Sequence, residues 1–315
     1  MTTSTGRFTL RSLLFVSALA LVALGSAQGA SWPRAFTNAD GTTTVIPSQP
    51  QRILSTSVSV TGSLLAIDAP VVASGSAGNG TYFAQWAKVA EERGVVNVWP
   101  AGAVDLEAAY AAEPDLIVVS TSGADSTLDQ LAELQEIAPT IVVDYGGQTW
   151  QELATQLAAA VGSEAHAAEV IADFDAYVAA AKVRIHVPAG TANIISFNGA
   201  GTTNPIARAV GAHAQLLSSL GFLIEDPDPA WHTQATLRND FVWAEFERLT
   251  DLTSETTFLL RFGPDGVASF VSEPVLANMP SVKAGQVYGL GVNSFRIDYY
   301  SATEIVDGIV AEFGN

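Results

Sequence analysis

Residues 50–75 read PQRILSTSVSVTGSLLAIDAPVVASG, and this stretch decides the fold. ILSTS is a short apolar, β-capable run that ends in small hydroxyl residues. Ser59 can cap a helix through VTGSLLAID, and PVVASG is a second buried strand closed by Gly75. Strand, helix and strand in 26 residues form a βαβ unit, which places two parallel strands side by side with the helix on one face.

The same rhythm continues outward from this unit. WPRAFTNADGTTTVIPSQ (32–49) precedes it and reads as a β-hairpin turning at Asp40-Gly41. Further strands are expected over 95–98, 115–120 and 140–144, with helices over 83–93, 105–112, 126–137 and 148–161. This alternation predicts a mostly parallel sheet covered on both faces.

SEAHAAEVIADFDAYVAAAKVRI (163–185) breaks the rhythm, with no Gly or Pro over 23 residues. Val170, Ile171, Phe174, Tyr177 and Val178 form one apolar stripe, so the spacing predicts a continuous helix roughly 35 Å long. A second βα series follows, with strands expected over 192–197, 222–225, 257–261 and 286–290. Helices are expected over 213–220, 244–252, 271–279 and 300–313. The expected fold class is α/β, with two Rossmann-like lobes joined by a single long α-helix and a ligand cleft between them. In chain order, 1–27 is a signal peptide, 28–162 the N-terminal lobe, 163–186 the interlobe helix and 187–315 the C-terminal lobe.

The leader is read from Arg7 and Arg11 ahead of the apolar run 13–25, with cleavage expected after Ala27 or Ala30. No later stretch approaches the 18–20 apolar residues of a membrane span. The chain has no cysteine, which excludes disulfides, thiolate metal sites and a lipoprotein anchor. An exported, unanchored protein of the periplasm is expected. With residues 1–30 set aside, 12 basic residues face 32 acidic ones, a net charge of −20. Such a surface is unsuited to nucleic acid, which is bound by clustered Lys and Arg.

Ligands of doubly wound sheets sit beyond the carboxyl ends of the strands. Those ends are 55–59, 74–80, 99–102, 120–126, 197–208, 261–266 and 289–296, and more than half of their residues are Gly, Ser, Thr or Asn. Only nine arginines lie beyond residue 30, yet Arg208, Arg261 and Arg296 all fall at expected C-terminal-lobe strand ends. A guanidinium donates paired hydrogen bonds and stacks on aromatic faces, which suits an anionic aromatic ligand. Each arginine also has a plain structural reading, as a helix-surface residue, an ion-pair partner or a cap. Tyr82 and Trp99 are the aromatic candidates at the same edge. No GxSxG, GxxxxGK or HExxH motif is present, and the four histidines (166, 186, 213, 232) are scattered. No catalytic residue, intrinsic cofactor or protein-bound metal is therefore assigned.

The 50–75 segment, the hairpin before it and FRIDYYSA (295–302) together resemble the class III periplasmic substrate-binding proteins of iron-siderophore ABC importers. The likeness spans nearly all of the chain beyond the leader. It implies a monomeric periplasmic receptor, not an enzyme. Such a receptor captures a ferric siderophore, here catecholate and enterobactin-like, and delivers it to a permease dimer in the inner membrane. The siderophore holds the iron. By the same resemblance Arg296, in FRIDYYSA, faces the ligand. The family's arginine after the first SG strand end has no counterpart in SGSAGNGTYF (74–83), and NPIARAV (204–210) lacks the family's tryptophan, leaving Arg208 nearby. Glu107 and Glu247 match the two glutamates that such proteins present to permease arginines, with Glu245 a rival for the second; an acid there would also complement a helix dipole. The same architecture could instead carry haem, cobalamin or a hydroxamate siderophore. A siderophore-processing exported enzyme is the reading from another class.

Overall fold

The computed structural model describes residues 1–3 and 31–314. The expected leader and its cleavage sites therefore lie outside the described residues, apart from the first three. Among the described residues, no helix is long and apolar enough to cross a membrane.

Two separate five-stranded sheets carry the architecture. In the N-terminal lobe the spatial order is Val96–Pro100, Val71–Ser76, Ile53–Ser55, Leu116–Ser120 and Thr140–Val143, all parallel. Strands of a sheet covered on both faces are apolar on both sides, and the side-chain period of two sorts them. Ile53, Leu116, Val118, Ile141 and Val143 enter one core. Leu54, Ile117, Val119 and Val142 enter the other. The hairpin Arg34–Thr37/Thr43–Ile46 leans on this lobe, where Asn38 accepts from the Val142 N–H.

The C-terminal sheet runs Phe241–Glu245, Thr203–Ala207, Ala192–Ile195, Thr256–Leu259 and Val287–Gly289. Its last three strands are parallel, but Thr203–Ala207 is antiparallel to both of its neighbours. Three expectations are corrected here. The segment 197–208 is not one long strand-end loop, because its second half returns as a strand. The segment 244–252 is not an α-helix but the end of strand Phe241–Glu245 followed by a 3-10 helix, Phe246–Asp251. The expected strand 222–225 reduces to a single bridge between Ala192 and Ile224.

The helix expected over 163–185 runs Glu164–Lys182, burying Ala167, Phe174, Val178 and Ala181. It packs on Trp150–Val161 of the first lobe and on Ala212–Leu220 of the second. The final helix, Tyr299–Phe313, also spans both. Its start packs against Val58–Ala66 and Ala84–Glu92, while Phe313 meets Phe222, Phe258 and Tyr288. Tyr299 joins Trp150 and Phe174 in an aromatic cluster with ring centroids 5.0–6.1 Å apart. One apolar core thus runs from the first sheet past the long helix to the second.

Candidate functional site

Loops from both lobes converge on a cavity of about 370 Å³. The N-terminal lobe supplies residues around Asn79–Gln85, from the loop after Val71–Ser76 into the next helix. The C-terminal lobe supplies Arg261, Val292, Asn293, Phe295 and Arg296. Two smaller hollows continue along the lobe junction. Ser59, Tyr145, His213, Phe241, Phe295 and Arg296 line one, and Thr121, Asp144, Gly146, Leu237, Arg238 and Asn239 line the other.

Phe295 organises the cationic side. Its ring stacks on buried Phe241 at 5.8 Å and 14°. The Arg296 guanidinium lies 4.6 Å from the Phe295 centroid and 5.3 Å from that of Tyr145, and the Arg261 guanidinium lies 5.3 Å from Phe295. Arg261 donates to Asn198 Oδ1, and partial burial pulls its pKa down. Its backbone takes φ of +68°, unusual for a residue with a side chain, while its N–H donates to Ser294 Oγ at 3.0 Å. Among the described residues, neither Arg261 nor Arg296 has a carboxylate within ion-pair distance. Arg238 differs: its Nη2 and Nε donate to Asp240 at 2.6 and 3.1 Å.

The loop bearing Arg296 is pinned from below. His213 is buried, and its Nε2 lies 2.9 Å from the Ser294 carbonyl. A carbonyl only accepts, so Nε2 carries the proton. Desolvation holds this histidine down to about 4, and it is neutral at the pH of most compartments. His232 spends both ring nitrogens locally, on Thr236 O and the Trp243 N–H. Among the described residues, no group of three or more His, Cys, Asp or Glu side chains is placed to hold a metal ion.

The sequence-derived candidates separate into three groups. Arg296, Arg261 and Tyr82 line the same cavity. Tyr82 donates to Val95 O at 3.1 Å and leans on Trp86, and burial pushes its hydroxyl up to about 12. Arg208 does not reach the cavity: its Nη1 donates to Arg238 O at 3.3 Å, beside the edge strand. It follows the returning strand Thr203–Ala207, whose antiparallel course carries it away from the hairpin tip at 198–203. Trp99 is a correction. It is 4% exposed and packed in the N-terminal lobe with Leu54, Ala73 and Ile117, so its ring offers no face to a ligand. Glu107 and Glu247 are both exposed, each in the first turn of a short helix just beyond a strand's carboxyl end, one per lobe.

Tyr145 and Arg238 were missed by sequence reasoning. Arg238 precedes its strand, where the rule of carboxyl strand ends does not look. Tyr145 does follow a strand, Thr140–Val143, and the aromatic among DYGGQ was the available signal.

A family model described as periplasmic binding protein matches residues 53–202. The chain is 39% identical over 313 residues to the ferric enterobactin-binding periplasmic protein FepB of Escherichia coli O6:H1, covering 96% of this chain and 98% of that one. The crystal structure of holo-ViuP superposes with a TM-score of 0.90 at 51% identity, over 91% of this chain and 97% of the other. Staphylococcus aureus SirA, solved with staphyloferrin B, shares the fold at 19% identity and a TM-score of 0.71, over 89% of this chain and 98% of its own. With two α/β lobes, a cleft between their loops and near full-length identity to such a relative, the chain belongs to the periplasmic binding protein family.

Proposed function

We propose that this protein is a periplasmic receptor that captures a ferric siderophore of the catecholate class in the interlobe cleft and delivers it to an ABC permease. The observation that carries the reading is the pair Arg261 and Arg296. Both guanidinium groups line one cavity, lack a carboxylate partner among the described residues, and belong to a chain of net charge −18. A ferric tris-catecholate carries three negative charges on aromatic rings. Each guanidinium at about 4 Å from a unit negative charge gains roughly 4 kcal/mol at an effective dielectric near 20. Flat donors that also stack suit the rim of a catecholate better than a neutral hydroxamate.

Phe295 and Tyr82 supply apolar walls, and the siderophore itself chelates the iron. No bond is made or broken in this role. The identity to FepB, a ferric enterobactin-binding protein by name, supports the same ligand class. We assign ligand contact to Arg296, Arg261 and Tyr82, and permease docking to Glu107 and Glu247. The lobes take the limits 28–162 and 187–315, with 163–186 between them, in a monomer. Haem ligation by the two histidines of the C-terminal lobe is disfavoured, because His213 commits Nε2 to the Ser294 carbonyl and His232 commits both ring nitrogens to backbone groups. Native mass spectrometry after incubation with a siderophore panel tests the assignment. A one-to-one complex with a ferric catecholate is expected, and retention of only hydroxamates, haem or cobalamin would reject it.

A further inference from the structure

Arg296 belongs to the C-terminal lobe, but part of its support belongs to the other. Its guanidinium lies 4.6 Å from its neighbour Phe295 and 5.3 Å from Tyr145, at the start of the loop after the N-terminal lobe's last strand, Thr140–Val143. Among the described residues, no side-chain hydrogen bond or ion pair holds that guanidinium, so two aromatic faces define where it sits.

Tyr145 is itself immobilised. Its hydroxyl is buried, with Ser59 and the Arg238 guanidinium as its polar neighbours. The loop 121–126 closes over it so tightly that a Cβ at Gly123 would come within 2.1 Å of the hydroxyl oxygen. Asp125, in the same loop, is anchored by Ser57 Oγ at 2.6 Å and the Ser59 N–H at 2.9 Å. The ring, not the hydroxyl, is the part of Tyr145 that meets the Arg296 guanidinium, which makes the ring the working part. A residue held this firmly acts as a wall against which a long, flexible side chain can be set.

We propose that Tyr145 is a positioning residue for ligand capture: its ring, reaching across the lobe junction, sets the Arg296 guanidinium at the cleft. This rests on the functional reading above and goes beyond it, because it makes the cationic site a joint product of both lobes. A change in lobe spacing at this contact moves the binding charge itself, so affinity for the anionic ligand is tied to lobe closure. The raised pKa of Tyr145, caused chiefly by burial, agrees with a phenol kept neutral beside the cation.

The test compares Tyr145→Leu with Tyr145→Phe, alone and combined with Arg296→Ala. Binding of ferric enterobactin is read by fluorescence quenching, and the Arg296 Nε–Hε resonance is read by NMR. Loss of one partly desolvated cation–π contact predicts about tenfold weaker binding for Tyr145→Leu, with Tyr145→Phe within about twofold of wild type. In the Arg296→Ala background, Tyr145→Leu should add no further loss. The aromatic ring-current shift of Arg296 should persist in Tyr145→Phe and shrink in Tyr145→Leu. Equal affinity of Tyr145→Leu and wild type, an undiminished loss without Arg296, or an unchanged Arg296 resonance would overturn the proposal. If wild type binds no ferric catecholate while the resonance still depends on the ring, the ligand assignment fails and the positioning role stands.

Discussion

Gln85 Nε2 donates to Asp298 Oδ2 at 3.1 Å, tying the first helix at the cleft to the start of the last helix of the chain. Asp298 caps that last helix, accepting from the Tyr300 and Ser301 N–H groups at 2.9 Å while Ser301 Oγ accepts from its own N–H. It is 2% exposed, and Gly62 of the helix Val58–Ala66 comes so near that a Cβ there would lie 2.6 Å from Oδ2. FRIDYYSA therefore places a cavity arginine and a buried interlobe cap two residues apart. Gln85→Leu removes one donor from this buried carboxylate and is expected to cost about 1–3 kcal/mol of stability. Urea unfolding at neutral pH measures it, and an unchanged midpoint would deny the bond any weight.

Burial raises the Asp298 pKa to about 6, against its hydrogen bonds, which pull it down. A carboxyl bound more tightly to its proton in the folded state favours folding fully at low pH, and that contribution is lost as pH rises through about 6. Asp298→Asn keeps an N-cap acceptor and removes the titration. Relative to wild type, the variant should gain stability between pH 4 and pH 7, on the order of 3 kcal/mol. His213 has the opposite sign, since its pKa is depressed to about 4 and stability falls as acid forces the buried ring to charge. Asp298→Asn should therefore unmask acid lability from His213. A difference curve that is flat over this range contradicts the Asp298 assignment, and a variant whose own stability does not fall toward pH 4 contradicts that of His213.

Removal of either cavity arginine should weaken capture without unfolding the protein. Arg296→Ala and Arg261→Ala are each expected to lower ferric-catecholate affinity by about 10- to 100-fold, the range of a charge-assisted contact. Circular dichroism and the thermal midpoint should stay close to wild type. Quenching titrations with unchanged affinity would remove the residue from the site.

Docking is separable from capture. Glu107→Ala with Glu247→Ala should reduce siderophore-dependent growth in an uptake assay while ligand affinity stays within about twofold, because exposed charges act mainly at the partner interface. Normal uptake by the double variant would reject the docking assignment.

Gly123→Ala tests the wall behind Tyr145. The residue has φ of +99°, and the added methyl would meet Tyr145 Oη at 2.1 Å and Asp125 Oδ1 at 2.6 Å. Strain plus overpacking should cost about 1–3 kcal/mol and weaken ligand binding with it. A variant with wild-type stability and affinity would show that the loop yields easily.

Most of the first lobe was legible because three of its strands, Ile53–Ser55, Val71–Ser76 and Leu116–Ser120, are short apolar runs ended by Ser and answered by a helix. Local chemistry and tertiary fold agree there. The second lobe was less legible at Thr203–Ala207, where Pro205 argues against a strand. The structure tolerates it because this strand pairs with Ala192–Ile195 at a single register position, Ile195 with Ile206, and the Pro205 carbonyl still accepts from the Ser196 N–H. Trp99 was misplaced for a related reason. The strand expected over 95–98 runs on to Pro100, so Trp99 lies within it and turns into the lobe core rather than opening a loop at the cleft.

Local sequence alone was enough for the βα units, the long helix and the placing of Arg261 and Arg296 at strand ends, since these depend on residues near one another in the chain. Tertiary structure alone decided that Tyr145 lies beside Arg296, that Gln85 meets Asp298, and that Arg208 turns from the cavity. Those pairings join residues up to 213 positions apart, and only the packing of two lobes against shared helices brings them within contact distance.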